Sequence, residues 1–148
     1  MSMTAVPINP RVTVETLRRA LLQVGPYARE NNLPEELVES AVQRRGEEAY
    51  LILDKMVLMP GEDVEERYWC SEADFSIRHE MCLNLVDFYW RRSPLFLFHS
   101  DHGMGYLTSI ASIFAKKLGW SESYTEMQMS AVEISTQRET KAIADAMR

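Results

Sequence analysis

The sequence predicts an all-α fold, an irregular bundle of six or seven helices. Apolar residues recur at spacings of three and four along most of the chain, which is typical of amphipathic helices. Capping residues, prolines and glycines separate these segments, and the alternation expected of strands is scarce. With 148 residues, of which 46% are hydrophobic and 26% charged, the chain is long enough for one core. We expect residues 1–12, with Pro7 and Pro10, to form an arm or linker, and residues 13–148 a single helical domain.

Four helices are predicted in the first half of the chain. Thr13 is suited to cap the first, whose apolar face is Val14, Leu17, Leu21 and Val24. Gly25-Pro26 is expected to end it and to open a short helix that runs to about Asn31. Pro34 is expected to be the first residue of the third, Gly46 to end it in the left-handed conformation, and its buried stripe to comprise Leu37, Val38, Ala41 and Val42. The fourth runs from Glu47 to the turn Pro60-Gly61, with Tyr50, Leu53 and Val57 on one face.

The middle of the chain begins with an acidic stretch. Residues 62–66, EDVEE, are expected to form a solvated loop. Ser71 is predicted to cap the next helix, with Glu72 and Asp74 in its first turn. Asn84 is followed three residues later by Asp87, which has the form of a capping box, so a helix from 85 to about 92 is expected. The apolar run 94–98 is too short to decide between strand and helix.

Two further helices complete the prediction. After a turn at 99–105, a helix from about Met104 to Leu118 ends at Gly119, with Trp120 packing back onto Phe114 or Ala115. Its apolar face is Leu107, Ile110, Ala111, Phe114 and Leu118. Ser121 is predicted to cap the last helix, which frays near Met147. The buried stripe of this last helix is expected to be Tyr124, Met127, Ala131 and Ile134.

Composition excludes several classes of function. The net charge of −6 argues against a nucleic-acid binder, whose affinity depends on cationic contacts to phosphate. The sequence lacks the P-loop, the dinucleotide fingerprint, and the HExxH and GxSxG motifs. It also lacks a run of 18 apolar residues and a signal-like N-terminus. Two cysteines are too few for a disulfide scaffold, so we expect reduced thiols and a cytoplasmic protein.

One family resemblance connects these elements. Residues 33–120, most closely from Ala41 onward, resemble the C-terminal helical domain of FAD-dependent (aerobic) glycerol-3-phosphate dehydrogenases and alpha-glycerophosphate oxidases. The family's order of motifs is present as Arg44-Arg45-Gly46, then Glu72, Arg78 and Glu80, then Asn84-Leu85-Val86-Asp87, Arg91-Arg92, and Leu118-Gly119-Trp120. The departures are Arg45 in place of an aromatic residue, Asn84 in place of threonine, and an atypical loop from His99 to His102.

The resemblance implies a parent enzyme of glycerol metabolism that oxidises sn-glycerol 3-phosphate to dihydroxyacetone phosphate on FAD. Its flavin and substrate residues lie before this domain, so no catalytic, cofactor-binding or metal residue is assigned to this chain. The implied partner is the flavin and substrate domain, a homo-oligomer is left open, and the parent is expected in the cytoplasm, peripheral on the inner face of its membrane. The chain is then either a piece of such an enzyme or, as an alternative, a stand-alone helical interaction module.

Three sets of side chains are candidates for a site. The first is an ion network, interpreted as a structural clamp, with a phosphate or partner site at its two adjacent arginines as the alternative; it comprises Glu72, Arg78, Glu80, Asp87, Arg91 and Arg92. The second is His99-x-Asp101-His102, which has the form of a metal half-site; a ligand-binding enzyme built on it is the third hypothesis. The third is Cys70 and Cys82, which we interpret as buried thiols. A domain that docks on a flavin domain is also expected to keep an apolar face uncovered.

Overall fold

The computed structural model describes residues 13–146, and within that range the chain is all-α. The helices are α1 (Val14–Leu22), α2 (Val24–Glu30), α3 (Glu35–Arg45), α4 (Ala49–Val57), α5 (Val64–His79), α6 (Leu85–Asp87), α7 (Leu95–Phe98), α8 (Leu107–Leu118) and α9 (Glu122–Ala146). Short 3-10 turns precede α4 and α8, and α6 continues into a π-helical turn, Phe88–Arg92. Among the described residues seven of the α-helices have seven residues or more, which confirms the predicted fold class and helix number. The chain divides into two compact units, with the boundary after Val64.

The first unit contains α1 to α4. Its core is formed by small and branched side chains of these helices: Ala20, Val24, Ala28, Val38, Ala41, Val42, Ala49, Ile52, Leu53 and Met56. Two tyrosines connect helices of this unit through hydrogen bonds. The Tyr27 hydroxyl of α2 donates to Asp54 Oδ1 of α4 at 2.7 Å, and the Tyr50 hydroxyl of α4 donates to the Ala20 carbonyl of α1 at 2.7 Å. The predicted cap at Thr13 is confirmed, because its side chain accepts from Thr16 N.

Several predicted details of this unit are wrong. The break between α1 and α2 lies at Gln23, so Gly25 and Pro26 belong to the first turn of α2. Proline is tolerated there because the N–H groups of the first turn have no acceptor within the helix, so the missing N–H of proline costs no hydrogen bond. Pro34 is the N-cap of α3 rather than its first residue. Gly46 ends α3 at a positive φ of 61°, as predicted, but its ψ of −138° is not that of the left-handed helical conformation. It also opens a 3-10 turn, so α4 begins at Ala49 rather than at Glu47.

Two of the predicted apolar faces of this unit are buried only in part, with Val24 and Leu53 in the core. Only Ala20 is buried on α1, while the predicted Val14, Leu17 and Leu21 are exposed. On α4 the predicted Val57 is exposed, and the residues that lie in the core beside Leu53 are Ile52 and Met56.

The second unit contains α5 to α9. In its core Phe88 packs edge-on against Tyr89 and Phe114, with ring centroids 5.9 Å apart in both pairs. The other buried residues are Ala73, Cys82, Leu85, Leu95, Leu107, Ile110, Ala111 and Val132. Helix α9 packs against α6 and α8.

The caps of the second unit are confirmed. Asn84 Oδ1 accepts from Asp87 N at 2.7 Å, and Ser121 Oγ accepts from Tyr124 N at 3.2 Å. Gly119 has φ 69° and ψ 35°, the left-handed conformation that ends α8, and Trp120 lies over Phe114 with ring centroids 5.4 Å apart.

Two expectations for this unit are wrong, and a third point was left open by the sequence. Residues 62–66 are not a loop throughout, because α5 begins at Val64 and its first turn takes Glu65 and Glu66. Ser71 caps nothing: it is buried in the middle of α5 together with Glu72 and Asp74. The apolar run 94–98, left undecided from the sequence, forms the short helix α7.

The predicted stripe of α9 is also wrong. Tyr124, Met127 and Ile134 are exposed, and the helix buries Val132 and Thr136 instead. The predicted fraying near Met147 falls outside the described residues.

Candidate functional site

The first group of paired charges lies on α6 and the π-helical turn that follows it. Arg91 Nη1 lies 3.3 Å from Asp87 Oδ1, and Arg92 Nε lies 3.2 Å from Asp87 Oδ2. The π turn is closed by Ser93 N donating to Phe88 O at 2.9 Å. Because this turn is wider than an α-helical one, residues four and five positions after Asp87 both reach its carboxylate. Three of the six predicted network residues therefore meet here, at one largely buried carboxylate.

Helix α5 carries the second charged group. Asp74 is 1% exposed, and its carboxylate contacts both Arg78, one helical turn on, and Lys117 of α8, whose Nζ lies 2.8 Å from Oδ1. A buried carboxylate is costly unless it is paired, so these two cations are what allows Asp74 to lie in the core. Arg78 thus pairs with Asp74, which sequence reasoning placed at a helix start and did not include in the network. The i, i+4 spacing was a signal for the Arg78 contact.

Glu72 and Glu80 occupy different environments. Glu72 is fully buried in α5 and its Oε2 accepts a hydrogen bond of 2.8 Å from the Tyr68 hydroxyl. Glu80 is half-buried just after α5, and its N–H donates to Ser76 O at 3.0 Å. That all six residues form one continuous network stays a prediction. At Asp74 and Asp87 the cations are paired with acids, and that this pairing acts as a structural clamp stays a prediction.

A cleft lies beside the Asp87 group, between α6, the π turn and α9. It has a volume of about 370 Å³ and is lined by Asn84, Val86, Asp87, Trp90, Arg91, Ser135 and Glu139. Two carboxylates share this lining with one arginine, and that arginine contacts Asp87. The electrostatics therefore disfavour the alternative in which Arg91 and Arg92 bind a phosphate.

Asp101 organises the turn between α7 and α8. Its Oδ1 accepts from Gly103 N at 2.8 Å and its Oδ2 from Gly105 N at 2.7 Å. Although burial opposes the charge, the hydrogen bonds from Gly105, His99 and Gly103 hold the pKa of Asp101 below its usual value. Gly103 has a φ of 75°, and a Cβ at this position would lie 2.9 Å from Leu95 Cβ. Both the backbone conformation and the lack of space therefore require glycine here.

The same turn does not fit a dinucleotide diphosphate. A glycine-rich loop binds phosphate through free backbone N–H groups. The N–H groups of Gly103 and Gly105 already donate to Asp101, whose carboxylate would repel a phosphate. FAD is therefore not accommodated by this glycine pair.

The histidines of the turn have protein partners. His99 Nδ1 lies 2.5 Å from Asp101 Oδ1, and His99 Nε2 lies 3.6 Å from Glu65 Oε2, which also accepts from the Tyr106 hydroxyl at 2.7 Å. His102 stacks on Phe96, whose carbonyl lies 2.8 Å from its Nδ1. In residues 13–146 no group of three or more His, Cys, Asp or Glu side chains is arranged to hold a metal ion. Sequence reasoning missed Glu65 and Tyr106 as partners of this turn, since nothing local in the sequence indicates them.

Both cysteines are buried free thiols, as predicted. Burial raises the pKa of Cys70 to about 11 and that of Cys82 to about 12. A thiol acts as a nucleophile through its thiolate, so these raised pKa values disfavour the reactive form at neutral pH.

These features define the class of protein: an all-α domain with paired buried acids, a glycine turn organised by Asp101 and two buried thiols. The family model for the C-terminal domain of alpha-glycerophosphate oxidase matches residues 15–125. The match spans most of the chain, which therefore belongs to this family, as the sequence resemblance predicted. Neither the curated proteins nor the solved structures give a match. Within the described part of the chain, no helix has the length and apolar character needed to cross a bilayer.

Proposed function

We propose that this chain is the non-catalytic C-terminal helical domain of a flavin-dependent enzyme that oxidises sn-glycerol 3-phosphate to dihydroxyacetone phosphate. The observation that carries the proposal is the family match over residues 15–125. In such an enzyme a flavin bound to the other domain would supply the two-electron acceptor for the substrate alcohol. The residues of this chain take no part in that step, and they contribute a folded body that packs on the flavin and substrate domain.

The local chemistry supports a non-catalytic role. The glycine turn is occupied by Asp101, both thiols have raised pKa values, and the paired acids of α5 and the π turn are neutralised by cations. None of these groups is poised to take a proton from a substrate or to attack it. The free, buried cysteines also support a cytoplasmic location. The peripheral position of the parent enzyme on the inner face of the membrane is part of the proposal that comes from the family resemblance.

The proposal is tested first by the size of the native polypeptide. An antibody against this chain, used on an extract of the source cells, should detect a polypeptide several times larger than 17.1 kDa. The reading frame upstream of Met1 should then encode a G-x-G-x-x-G fingerprint after a strand. A native polypeptide of the size of this chain would overturn the covalent arrangement and favour the stand-alone interaction module.

The absence of catalysis is tested separately. The purified chain, supplied with FAD, sn-glycerol 3-phosphate and a dye acceptor, should show no turnover above the protein-free control. Turnover that depends on the chain would refute the non-catalytic role. A family enzyme that lacks its own C-terminal domain should in contrast bind this chain and gain thermal stability.

A further inference from the structure

The cleft between α6, the π turn and α9 is built from two walls. One wall takes Trp90 and Arg91 from the π-helical turn Phe88–Arg92. The other wall is α9, which contributes Ser135 and Glu139; they are four residues apart and lie on one face of the helix. Turns of π-helix are rare and frequently lie at functional sites. The presence of such a turn in the wall favours a ligand-binding role for the cleft.

The charges of the cleft favour a cationic ligand. Its lining contains two carboxylates, of Asp87 and Glu139, and one guanidinium group, of Arg91. Asp87 is already neutralised, because Arg91 and Arg92 lie 3.3 Å and 3.2 Å from its two oxygens. The Glu139 carboxylate makes no ion pair or hydrogen bond within residues 13–146, and no lysine or arginine stands three or four residues from it in the sequence. One negative charge of the cleft is therefore left for a ligand.

The rest of the lining is suited to an organic cation. Hard metal ions such as Ca²⁺ take six or more oxygen ligands, whereas this cleft is also lined by Val86 and the ring of Trp90. Phe96 packs on Trp90 with ring centroids 3.9 Å apart, which supports the indole from one side. Indole is the side-chain ring that attracts cations most strongly. A guanidinium group combines both contacts, since it stacks on aromatic rings and pairs with a carboxylate through two hydrogen bonds.

We propose that this cleft binds a guanidinium group, which pairs with the carboxylate of Glu139 and stacks on the ring of Trp90. The cleft volume of about 370 Å³ lies at the lower end of the range for small-molecule sites, so a guanidinium group with a short alkyl chain fits. Val86 provides an apolar contact for that chain. The guanidinium group is supplied either by a free alkylguanidine or by an arginine side chain of another polypeptide, and these two sources share the same chemistry.

The inference is independent of the proposed enzymatic role. The family match ends at residue 125, so Ser135 and Glu139 lie outside it. Neither the flavin nor the substrate of the proposed enzyme is a guanidinium compound, so the two proposals can fail separately. Because Glu139 is exposed, solvent screens its ion pair, and dissociation constants of about 0.1–1 mM are expected.

The indole N–H signals of the purified 148-residue chain, recorded by NMR, measure the binding of butylguanidinium. The Trp90 signal, identified by its loss in Trp90→Phe, should shift and saturate by about 10 mM ligand, and those of Trp69 and Trp120 should stay in place. Isothermal titration calorimetry gives the same dissociation constant if Trp90→Phe does not fold. Butylurea, which has nearly the same shape and no charge, should bind about tenfold more weakly or not at all. Absence of binding, or equal affinity for butylurea, would overturn the proposal.

Two variants of α9 test the position of the bound group. Glu139→Gln should weaken the binding of butylguanidinium about fivefold or more, because it removes the charge and keeps the size of the side chain. Glu133→Gln is the matched control: it removes another exposed glutamate of α9, outside the cleft lining, and should leave the dissociation constant unchanged. Both positions are exposed, so both variants should fold. Equal effects of the two substitutions would assign the binding to the overall negative charge and overturn the proposal.

The amide of N-acetyl-arginine, in which both backbone ends are blocked as in a polypeptide, distinguishes the two sources. Affinity equal to that of butylguanidinium, with the same loss in Glu139→Gln, supports the proposal with an arginine side chain of another polypeptide as the ligand. Binding that is weaker by about tenfold or more supports it with a free alkylguanidine, because the blocked backbone then does not fit the cleft. Binding of the amide that Glu139→Gln leaves unchanged would contradict the assigned contact.

Discussion

Replacing Lys117 by alanine removes one of the two cations that neutralise the buried carboxylate of Asp74. Lys117 Nζ lies 2.8 Å from Asp74 Oδ1, and the side chain of Asp74 is 1% exposed. After the substitution, Arg78 stays in contact with the other oxygen. The perturbation therefore weakens the neutralisation of Asp74 without leaving the carboxylate entirely unpaired.

The size of the expected destabilisation follows from how exposed to solvent each partner of Asp74 is in the folded chain. Removing one partner of a fully buried pair costs about 3–5 kcal/mol. The side chains of Lys117 and Arg78 are 36% and 49% exposed, so solvent screens both contacts and the cost is lower. We expect Lys117→Ala to lower the free energy of unfolding by about 1–2 kcal/mol and Asp74→Ala by about 2–3 kcal/mol. Since the two residues act on each other, the double variant should lose less than the sum, by about 1 kcal/mol.

Tryptophan fluorescence during urea unfolding is the assay. All three tryptophans, Trp69, Trp90 and Trp120, belong to the second unit, which also contains both partners. Lys116→Ala is the matched control: it removes an exposed lysine from the same turn of α8 and should change the free energy of unfolding by less than about 0.5 kcal/mol. Equal effects of Lys116→Ala and Lys117→Ala, or strict additivity in the double variant, would refute the reasoning.

Three further predictions concern the turn before α8 and the thiols. Gly103→Ala should lower the free energy of unfolding by about 2 kcal/mol or more, because a Cβ there would lie 2.9 Å from Leu95 Cβ. Gly119→Ala, also at positive φ but with nothing within 4 Å of the new Cβ, should lower it by about 1 kcal/mol. Equal losses of the two variants in urea unfolding would exclude the clash. Because the pKa of Asp101 is lowered in the folded state, its stabilising contribution is present at neutral pH and is lost as the pH falls below about 4. Asp101→Asn should flatten this part of the pH–stability curve, and an unchanged slope would contradict the assignment. With the pKa of Cys70 at about 11 and that of Cys82 at about 12, iodoacetamide at pH 8 should modify both thiols fully only in urea, and rapid labelling of the native chain would show that they are accessible.

The parts of the fold that the sequence predicted correctly are local. Asn84 caps α6 by accepting a hydrogen bond from the N–H of Asp87, three residues further on. Gly119 ends α8, and Trp120 lies over Phe114, six residues earlier in the chain. Such contacts are determined by neighbours in the chain, so residue types at fixed spacing predict them. The all-α class and the family follow from the same kind of signal summed over many helices.

The candidate site was less predictable because its partners come from distant segments. Ser71 is a residue type that commonly caps helices, but α5 begins seven residues earlier, at Val64. Glu72 and Asp74 are therefore buried inside the helix, where Tyr68 donates a hydrogen bond to Glu72 and Lys117 pairs with the charge of Asp74. Nothing near Asp74 in the sequence indicates Lys117. Tertiary pairing thus overrode the local preference of serine for a helix start.

Helix α9 shows the limit of periodicity as a guide to function. The spacing of Tyr124, Met127, Ala131 and Ile134 correctly identifies one apolar face, but it does not say whether that face meets the core of the same chain or another surface. The structure gives the core contact to Val132 and Thr136, which belong to a second and shorter stripe. A helix with two apolar faces can bury only one of them in a single-sided core, so the longer stripe has the properties of a contact surface. Ile134→Gln should therefore change the free energy of unfolding by less than about 0.5 kcal/mol, as should Glu133→Gln at the neighbouring exposed position. A clearly larger loss for Ile134→Gln in urea unfolding would show that this face contacts the core of its own unit.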